Sequence, residues 1–437
     1  MKIKILASML AGALAMLPVT ANAGWGGGGV GKYGDPITIY GWQNHTYEFI
    51  ELNDRDYSEI RGNAANIGFL GFVDTGIEGL KVTWRCEQFT YLNDYGGNQG
   101  GWCNRNSKVG ISGAFGEIMM ATWLLPYNEM VAGWVDPWYD AGNASHTNIM
   151  GSVGAHTIFY NVGDFNGFNY STSTKGSYNQ GFNRRQEENI QYMGSTGKFS
   201  YRAAYTVGDN DETTTTGGSG STSVQDPVIY SAGIAYEDGP LWAAVTWQKH
   251  DDWAAATLGD TAGDAMRESS DESFRVAGRY IVDLGTSGKL TLAAMWENVE
   301  YEFRDVSTTV LQDFGFSAST FSAVTAGSDV KFDRDAFMVS AKYAPGGKID
   351  FRLMYAEADD LDMQATGMST NKENETGAET MLFGVFYALG DSTELSLSYI
   401  EVSNDNFGSY GTGIGGTGLG TINNDVEIIA LGFLTMF

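Results

Sequence analysis

The sequence predicts an all-β fold, a transmembrane antiparallel up-and-down β-barrel of about sixteen strands. Apolar and polar residues alternate with a period of two along most of the chain, and short connections between these segments alternate with long ones. The final segment alternates in the same way, and its last residue is Phe437. Successive side chains of a strand point to opposite faces, so this alternation indicates strands with one apolar and one polar face.

The alternation is clear in the segment 198–207. Phe199 and Tyr205 share one face, whereas Arg202 and Thr206 share the other. In a membrane barrel the apolar face meets lipid and the polar face meets water in the lumen. A soluble sandwich of two sheets produces the same alternation with its apolar faces packed together. The period alone therefore leaves both folds open.

The lengths of the connections favour the barrel. Seven tight turns, most of them with two glycines, alternate with connections that run from about ten residues (51–59) to about sixty (125–186). Short turns on one side and long loops on the other are typical of outer-membrane barrels. The predicted strands cover residues 36–50, 60–74, 79–92, 105–113, 116–124, 187–194, 197–207, 226–237, 240–251, 270–283, 288–303, 331–344, 347–360, 377–389, 392–404 and 424–437.

The N-terminus predicts export. Lys2 and Lys4 precede an apolar run over 5–19, which is followed by the cleavage pattern A-N-A. This pattern predicts a signal peptide over 1–23 and a single barrel domain over 24–437. A membrane anchor is the alternative, but the apolar run is short for a span and a good cleavage site follows it.

The composition excludes several classes of protein. The net charge of −27 becomes −29 without the signal peptide, which argues against nucleic acid as a partner. Two cysteines are too few for a disulfide scaffold, and 13% aromatic residues are too many for a disordered chain. The sequence contains no phosphate-binding loop, no zinc-protease motif and no nucleophile elbow, and its four histidines are scattered. We therefore predict no enzyme activity, no cofactor and no metal site.

Three short motifs occur in order along the chain. They resemble strand motifs of the Gram-negative general porins, and they are residues 65–71 (A-N-I-G-F-L-G), 104–120 (N-R-N-S-K-V-G-I-S-G-A-F-G-E-I-M-M) and 188–192 (E-N-I-Q-Y). That resemblance implies a sixteen-stranded homotrimer in the cell outer membrane, in contact with lipid and lipopolysaccharide. The terminal Phe437 resembles the signal that the barrel-assembly machinery reads in outer-membrane barrels.

The resemblance also implies that the third long loop folds into the lumen and narrows it. In this chain the longest connection is the third, over about 125–186. Its carboxylates are the candidate acidic groups of the constriction, although solvated loop carboxylates are the simpler alternative. These candidates are Glu129, Asp136, Asp140 and Asp164.

Basic residues of the wall are assigned by strand parity. A cation on the lipid face at mid-depth costs about 2–4 kcal/mol, so the lumenal face is favoured for basic residues on the strands. A β-bulge reverses parity, and any one assignment is open to that exception. The basic residues predicted to face the lumen are Lys81, Arg85, Lys108, Arg185, Arg202, Arg275, Arg279 and Arg352.

Three basic wall positions of the porins are neutral in this chain, where they correspond to Asn66, Leu70 and Thr122. Fewer wall cations and a net charge of −29 lead us to predict a preference for cations, because fixed carboxylates raise the local cation concentration.

Cys86 and Cys103 flank the second long loop on strands that should pair. An oxidising periplasm permits a disulfide between them, if their Cα atoms come within about 7 Å. The sequence leaves a disulfide and two free thiols open.

The predicted function is passive diffusion of small hydrophilic solutes and ions through a water-filled outer-membrane channel. One alternative is a channel selective for a sugar or an organic acid, in which aromatic side chains of the third loop form a stacking path. Loop-to-wall packing explains the same aromatics. The alternative from another class is a non-conducting barrel that serves adhesion or structure.

Overall fold

The computed structural model describes residues 29–30, 36–52, 55–90, 92, 102–151, 182–183, 185–207, 228–251, 268–306, 328–365, 375–405, 408, 410 and 425–437. The predicted signal peptide at 1–23 lies outside the described residues. Its removal therefore stays a prediction.

Sixteen antiparallel strands form the wall of the barrel, two of them in two pieces. They are β1 (Pro36–Leu52), β2 (Arg55–Gly62 and Asn66–Asp74), β3 (Lys81–Phe89), β4 (Ser107–Gly113), β5 (Gly116–Leu124), β6 (Arg185–Thr196), β7 (Phe199–Val207), β8 (Val228–Asp238), β9 (Leu241–Asp251), β10 (Glu268–Asp283), β11 (Lys289–Val306), β12 (Ser328–Ala344), β13 (Ile349–Ala358 and Asp362–Ala365), β14 (Ala378–Gly390), β15 (Thr393–Asn404) and β16 (Val426–Met436). A two-residue strand, Gly29–Val30, also pairs with the start of β1.

The sheet closes where the last strand meets the first. Gly432 of β16 lies opposite Thr46 of β1, and the pairing runs along the whole of β16. Gly41 and Phe437 exchange two backbone hydrogen bonds of 2.9 and 3.1 Å at the end of this seam. A Cβ on Gly41 would lie 2.2 Å from the Phe437 ring, so the close approach requires glycine. Closure leaves no open edge among the strands that the structure describes.

The two faces of the wall follow the predicted parity. Large apolar side chains such as Ile111, Leu353 and Phe433 are exposed on the outside, while polar residues such as Arg275 and Gln248 are buried inside. The described strands form one sheet, and their outward apolar faces do not pack against a second one, as a sandwich would require. The predicted barrel is therefore confirmed and the sandwich is excluded.

The predicted boundary between the first two strands was wrong. We expected a connection over 51–59, but β1 continues to Leu52 and β2 starts at Arg55. The outward side chains of this hairpin are polar, for example Glu51 opposite Asp56, whereas the inward Ile50 and Leu52 are buried. The outward apolar stripe that marks a strand in contact with lipid is therefore missing from this hairpin, and its strands were not predicted.

The third long loop enters the lumen, as predicted. Its described part contains two short helices, α1 (Pro126–Glu129) and α2 (Ala132–Val135), and a 3₁₀ turn at His146–Asn148. Residues of α1 and α2 are buried against the inside of the wall. None of the helices in the described part of the chain has the length and apolar character needed to cross a bilayer.

Candidate functional site

The third loop is tied to widely separated strands of the wall. The backbone N–H of Tyr127 donates to Oγ of Ser231 at 3.0 Å, and its hydroxyl donates to Glu297 at 3.0 Å. Further along the loop, the indole N–H of Trp138 donates to Oγ of Ser398 at 3.0 Å. These partners lie on β8, β11 and β15, so the loop crosses the lumen and narrows it.

A fully buried ion cluster holds the loop on one side. Glu297 accepts from Arg275 at 2.6 Å, from Arg334 at 3.2 Å and from the backbone N–H of Gly151 at 2.5 Å. All three charged side chains have 0% exposure. The guanidinium of Arg275 also lies 4.1 Å from the Tyr127 ring centroid. Each buried charge therefore has opposite charges or hydrogen bonds around it, which offsets the cost of removing it from water.

Arg352 makes a second attachment. It donates to Asp350 at 2.7 Å, to Glu394 at 3.1 Å and to the carbonyl oxygen of Pro137 in the loop at 2.7 Å. Its guanidinium lies 3.4 Å from the centroid of the Phe386 ring. We use the name anchoring wall for the groups that hold the loop in these two attachments and at β8: Ser231, Arg275, Glu297, Arg334 and Arg352.

On the other side of the lumen, one carboxylate gathers two arginines. Glu87 accepts from Arg85 and Arg105, and from the hydroxyl of Tyr40 at 2.5 Å. Glu87 has 0% exposure, whereas both arginine side chains keep 9% exposure. The arginines therefore touch lumenal water while their charge is partly compensated from behind.

A disulfide fixes one of these arginines. Cys86 and Cys103 are bonded, and their Cα atoms lie 4.6 Å apart. The backbone N–H of Arg105 donates to the carbonyl of Glu87 at 3.0 Å, two residues beyond Cys103. The bond therefore holds the segment that carries Arg105 against β3.

Two further ion pairs continue this side of the lumen. Lys108 lies 2.5 Å from Glu117, and Arg202 pairs with Glu129 of the loop. The Lys108 ammonium lies 5.5 Å from the Trp123 ring centroid. We use the name facing wall for the basic groups on and next to β2, β3, β4 and β7, whose side chains keep between 9% and 13% exposure: Arg61, Arg85, Arg105, Lys108 and Arg202.

The predicted acidic residues of the loop have different surroundings. Glu129 is paired with Arg202. Asp136 has no exposed surface, because its carboxylate accepts from the backbone N–H of Trp138 at 2.7 Å and of His146 at 2.9 Å. The Asp136 carboxylate therefore holds two parts of the loop together. It does not line the passage, contrary to our expectation. Asp164 lies outside the described residues.

Asp140 keeps a partly exposed side chain, with 18% exposure. Its carboxylate accepts from Asn128 at 2.9 Å and from Oγ of Ser145 at 3.2 Å. Burial raises the pKa of this carboxyl above its ordinary value, and the charge of Asp136 acts in the same direction, while His146 opposes both. Among the predicted loop carboxylates that the structure describes, Asp140 has the largest exposure.

The remaining predicted basic residues also point inward but lie apart from these clusters. Lys81 lies at the periplasmic rim, 3.9 Å from Asp74, and is half-exposed. Arg279 stacks 4.4 Å from the Trp134 ring centroid, and Arg185 donates to Oδ1 of Asn106 at 2.8 Å.

The three neutral positions do not share one face. Leu70 lies opposite Arg85, and Asn66 has the same parity, so both face the lumen. Ala121 pairs with Lys108, which points into the lumen. Thr122 is the next residue of the strand, so its side chain points to the other face. Thr122 therefore has the outward parity of this strand, and its assignment to the wall of the passage was wrong. A register shift between Ala121 and Trp123 disturbs the strand at this point.

Sequence reasoning missed several charged or titratable residues of the site, among them Arg61, Arg105, His146, Glu297 and Arg334 and the carboxylate partners Glu48, Glu59, Glu117 and Glu394. Parity along β2, β11 and β12 would have placed Arg61, Glu297 and Arg334 in the lumen. Arg105 precedes its strand and His146 lies in the loop, so no periodic signal identifies them.

A closed barrel of sixteen antiparallel strands, narrowed by a loop between two charged walls, defines a channel of the bacterial outer membrane. A family model for Gram-negative porins matches residues 10–406, so the chain belongs to that family of non-enzymatic channels. The predicted family, outer-membrane location and absence of enzyme activity are thereby confirmed.

Named relatives and solved structures agree with this assignment. The major outer membrane protein P.IB of Neisseria gonorrhoeae is 25% identical over 366 residues, which cover 78% of this chain and 94% of that protein. The P.IB protein of Neisseria lactamica is 25% identical over 377 residues, with 78% and 94% covered. An anion-selective porin from Comamonas acidovorans has a TM-score of 0.64 at 17% identity, with 92% of this chain and 100% of that chain covered. A trimer form of OmpT from Vibrio cholerae has a TM-score of 0.54 at 14% identity, with 92% and 99% covered. The two structures show the fold alone.

Proposed function

We propose that this porin passes small hydrophilic solutes and ions by passive diffusion along the facing wall, and that it prefers cations. The described basic groups of the facing wall have carboxylate partners, namely Glu48, Glu59, Glu87, Glu117 and Glu129. Charges that compensate each other at short distance produce a weak net field in the constriction. The field at the mouth of the channel then has the larger influence on which ions enter.

The observation that carries the cation preference is an acidic rim at the loop-bearing ends of the strands. Its carboxylates alternate with buried inward residues such as Ile400 and Ile428, so they lie on the outer side of the wall and act on ions that approach the mouth. Glu401 lies opposite Glu427, Glu427 lies opposite Glu51, and Glu51 lies opposite Asp56. Glu357 and Glu379 form a further opposed pair nearby. Like charges in register raise the local concentration of counter-ions, by Coulomb attraction that salt screens over about 10 Å at 0.1 M.

The test is the reversal potential of single channels in a planar bilayer under a KCl gradient. We expect the sign for cation preference, with a larger value at low ionic strength because the rim is screened less. A reversal potential of the opposite sign would contradict the cation preference and leave the porin function in place. A folded protein without conductance would instead favour a structural or adhesive barrel.

The aromatic residues of the loop do not support a stacking path for a sugar. Tyr127 is fully buried and Trp138 is 5% exposed. Trp134 stacks on Trp242 of the wall with ring centroids 5.2 Å apart. These contacts favour loop-to-wall packing, so a substrate-selective channel is the less supported proposal.

A homotrimer in the lipopolysaccharide-containing outer membrane, inserted by the barrel-assembly machinery through Phe437, completes the proposal. Membership of the porin family and the trimer form of OmpT support the oligomeric state. Native mass spectrometry of the unheated, detergent-extracted protein should give a mass of three chains. A monomeric mass for conducting protein would contradict it.

A further inference from the structure

Three potential metal ligands converge inside the constriction loop. Nδ1 of His146 lies 2.9 Å from Oδ2 of Asp136 and 3.5 Å from Oδ1 of Asp140. One ligand atom from each residue falls within 4.8 Å of the others. His146 and Asp136 are fully buried, whereas the side chain of Asp140 is 18% exposed. The cluster is thus enclosed on two sides and reachable through Asp140.

The hydrogen bonds around His146 fix the position of one proton. The amide nitrogen of Asn128 donates to Asp140 at 2.9 Å, so the other amide atom, Oδ1, is an acceptor. This Oδ1 accepts from Arg275 at 3.4 Å and lies 3.3 Å from Nε2 of His146. Nε2 must therefore carry a hydrogen. In a neutral imidazole Nδ1 then has only a lone pair.

That lone pair would point at two carboxylates. A lone pair at 2.9 Å from one carboxylate oxygen and 3.5 Å from another is repulsive unless a positive species lies between them. A second proton on His146 is one such species, and a metal ion is the other. Arg275 lies on the opposite side of the ring, beyond Asn128, so it does not occupy this position.

We propose that the constriction loop binds one divalent ion of the zinc type through Asp136, Asp140 and His146. One imidazole nitrogen and two carboxylate oxygens form a donor set that zinc accepts at about 2.0–2.2 Å, which places tetrahedral ligand atoms about 3.4 Å apart. The separation of 3.5 Å between His146 and Asp140 is close to that value. The separation of 2.9 Å between His146 and Asp136 is a hydrogen-bond distance and must lengthen when an ion binds. The bond from Nε2–H to a side-chain oxygen is the outer-shell contact that metal-bound histidines usually make.

Such an ion would join the end of α2 to the 3₁₀ turn at His146–Asn148 and stiffen the loop. Three protein ligands leave a fourth position on the Asp140 side, where water or a passing anion binds. The proposal is independent of the ion preference of the channel.

The experiment is calorimetric titration of zinc chloride into chelator-treated, folded full-length porin without an affinity tag. We expect one ion per chain for the wild type. His146→Gln and Asp140→Asn should bind at least tenfold more weakly, and Asn128→Ala should bind about 10–100-fold more weakly. The matched control is His250→Gln, which removes another buried lumenal histidine whose Nδ1 lies 3.6 Å from Asp271. It should bind like the wild type.

Cobalt substitution gives a second readout, since tetrahedral cobalt absorbs visible light and the wild type and His250→Gln should both show the band. Absence of binding by the folded wild type would overturn the proposal and assign the bridging charge to a proton. Equal binding by the wild type, His146→Gln and Asp140→Asn would overturn it as well. Asp140→Asn removes only a partly exposed ligand, so it tests the site even if His146→Gln fails to fold.

Discussion

The anchoring wall and the facing wall use the same chemistry for different purposes. Both present arginines that bind carboxylates, but Arg275, Arg334 and Arg352 have 0% exposure, whereas Arg85 and Lys108 keep 9% and 13%. Loop residues cover the first set, and lumenal water reaches the second. An inward arginine is therefore not by itself a pore-lining group, and its exposure decides which role it has.

The largest expected effect comes from breaking the anchoring wall at Glu297. Glu297→Gln leaves Arg275 and Arg334 buried without their shared carboxylate, which costs about 3–5 kcal/mol of unfolding free energy. Loss of the Gly151 contact should also release the loop and produce noisy, larger single-channel currents. Urea unfolding in lipid vesicles measures the first effect.

The matched control is Glu300→Gln, which removes an exposed partner of Lys331 at 2.7 Å. It should cost no more than about 1 kcal/mol, the range of surface ion pairs. Equal stability of the two variants would show that the anchoring cluster does not hold the barrel together.

The disulfide of the facing wall should have the next largest effect. Cys86→Ser opens a covalent loop with a sequence separation of 17, and loops of this length stabilise a fold by about 3 kcal/mol. The segment that carries Arg105 should also lose its fixed position, which changes ion preference. Wild type measured with and without reductant is the control, and reduced wild type should match the variant. Identical stability with and without the bond would contradict this prediction.

A smaller effect on stability and a clear effect on ion preference are expected at Glu117. Glu117→Gln leaves the Lys108 ammonium without its partner at 2.5 Å, in a position that lumenal water reaches. The reversal potential should shift toward anions. The control Lys81→Gln removes a half-exposed cation at the periplasmic rim and should shift the potential little. A shift of the same size in both variants would show that charges in the constriction and at the periplasmic rim affect ion preference equally.

The smallest expected effect is a pH dependence at Asp140. Burial raises the pKa of Asp140 in the folded protein, so the folded state binds a proton more readily than the unfolded state. Stability should therefore fall as pH rises from the ordinary range of a carboxyl through the raised pKa. In metal-free protein, Asp140→Asn should remove this fall and be more stable than the wild type at neutral pH. The two proteins should converge in acid, and a lower stability of Asp140→Asn at neutral pH would contradict the sign.

The strands and their faces were predictable because side chains of a strand alternate between its two faces. Most strands of the wall show the resulting alternation of apolar and polar residues. Parity placed Arg202, Arg275 and Arg352 in the lumen correctly. The assignment of Thr122 to the wall came from the resemblance to porin motifs, and strand parity gives it the outward side. Parity also gave no outward apolar stripe in the hairpin of β1 and β2, where Glu51 lies opposite Asp56.

The loop was less predictable, because its contacts depend on residues distant in sequence. Asp136 looks like any exposed loop carboxylate until the loop folds and two backbone N–H groups reach it. His146 joins Asp136 and Asp140 only through that fold, so spacing along the chain could not reveal the cluster. Which inward arginines are covered also depends on where the loop lies.

The difference between the two walls can be measured directly, because water should follow the facing wall and avoid the anchoring wall. Single-channel current is recorded while a charged thiol reagent is added to Lys108→Cys or to Ser231→Cys, whose position is 2% exposed in the native chain and binds Tyr127. We expect a stepwise change in current for Lys108→Cys and none for Ser231→Cys. Modification of Ser231→Cys at the same rate, or of Ser231→Cys alone, would contradict it.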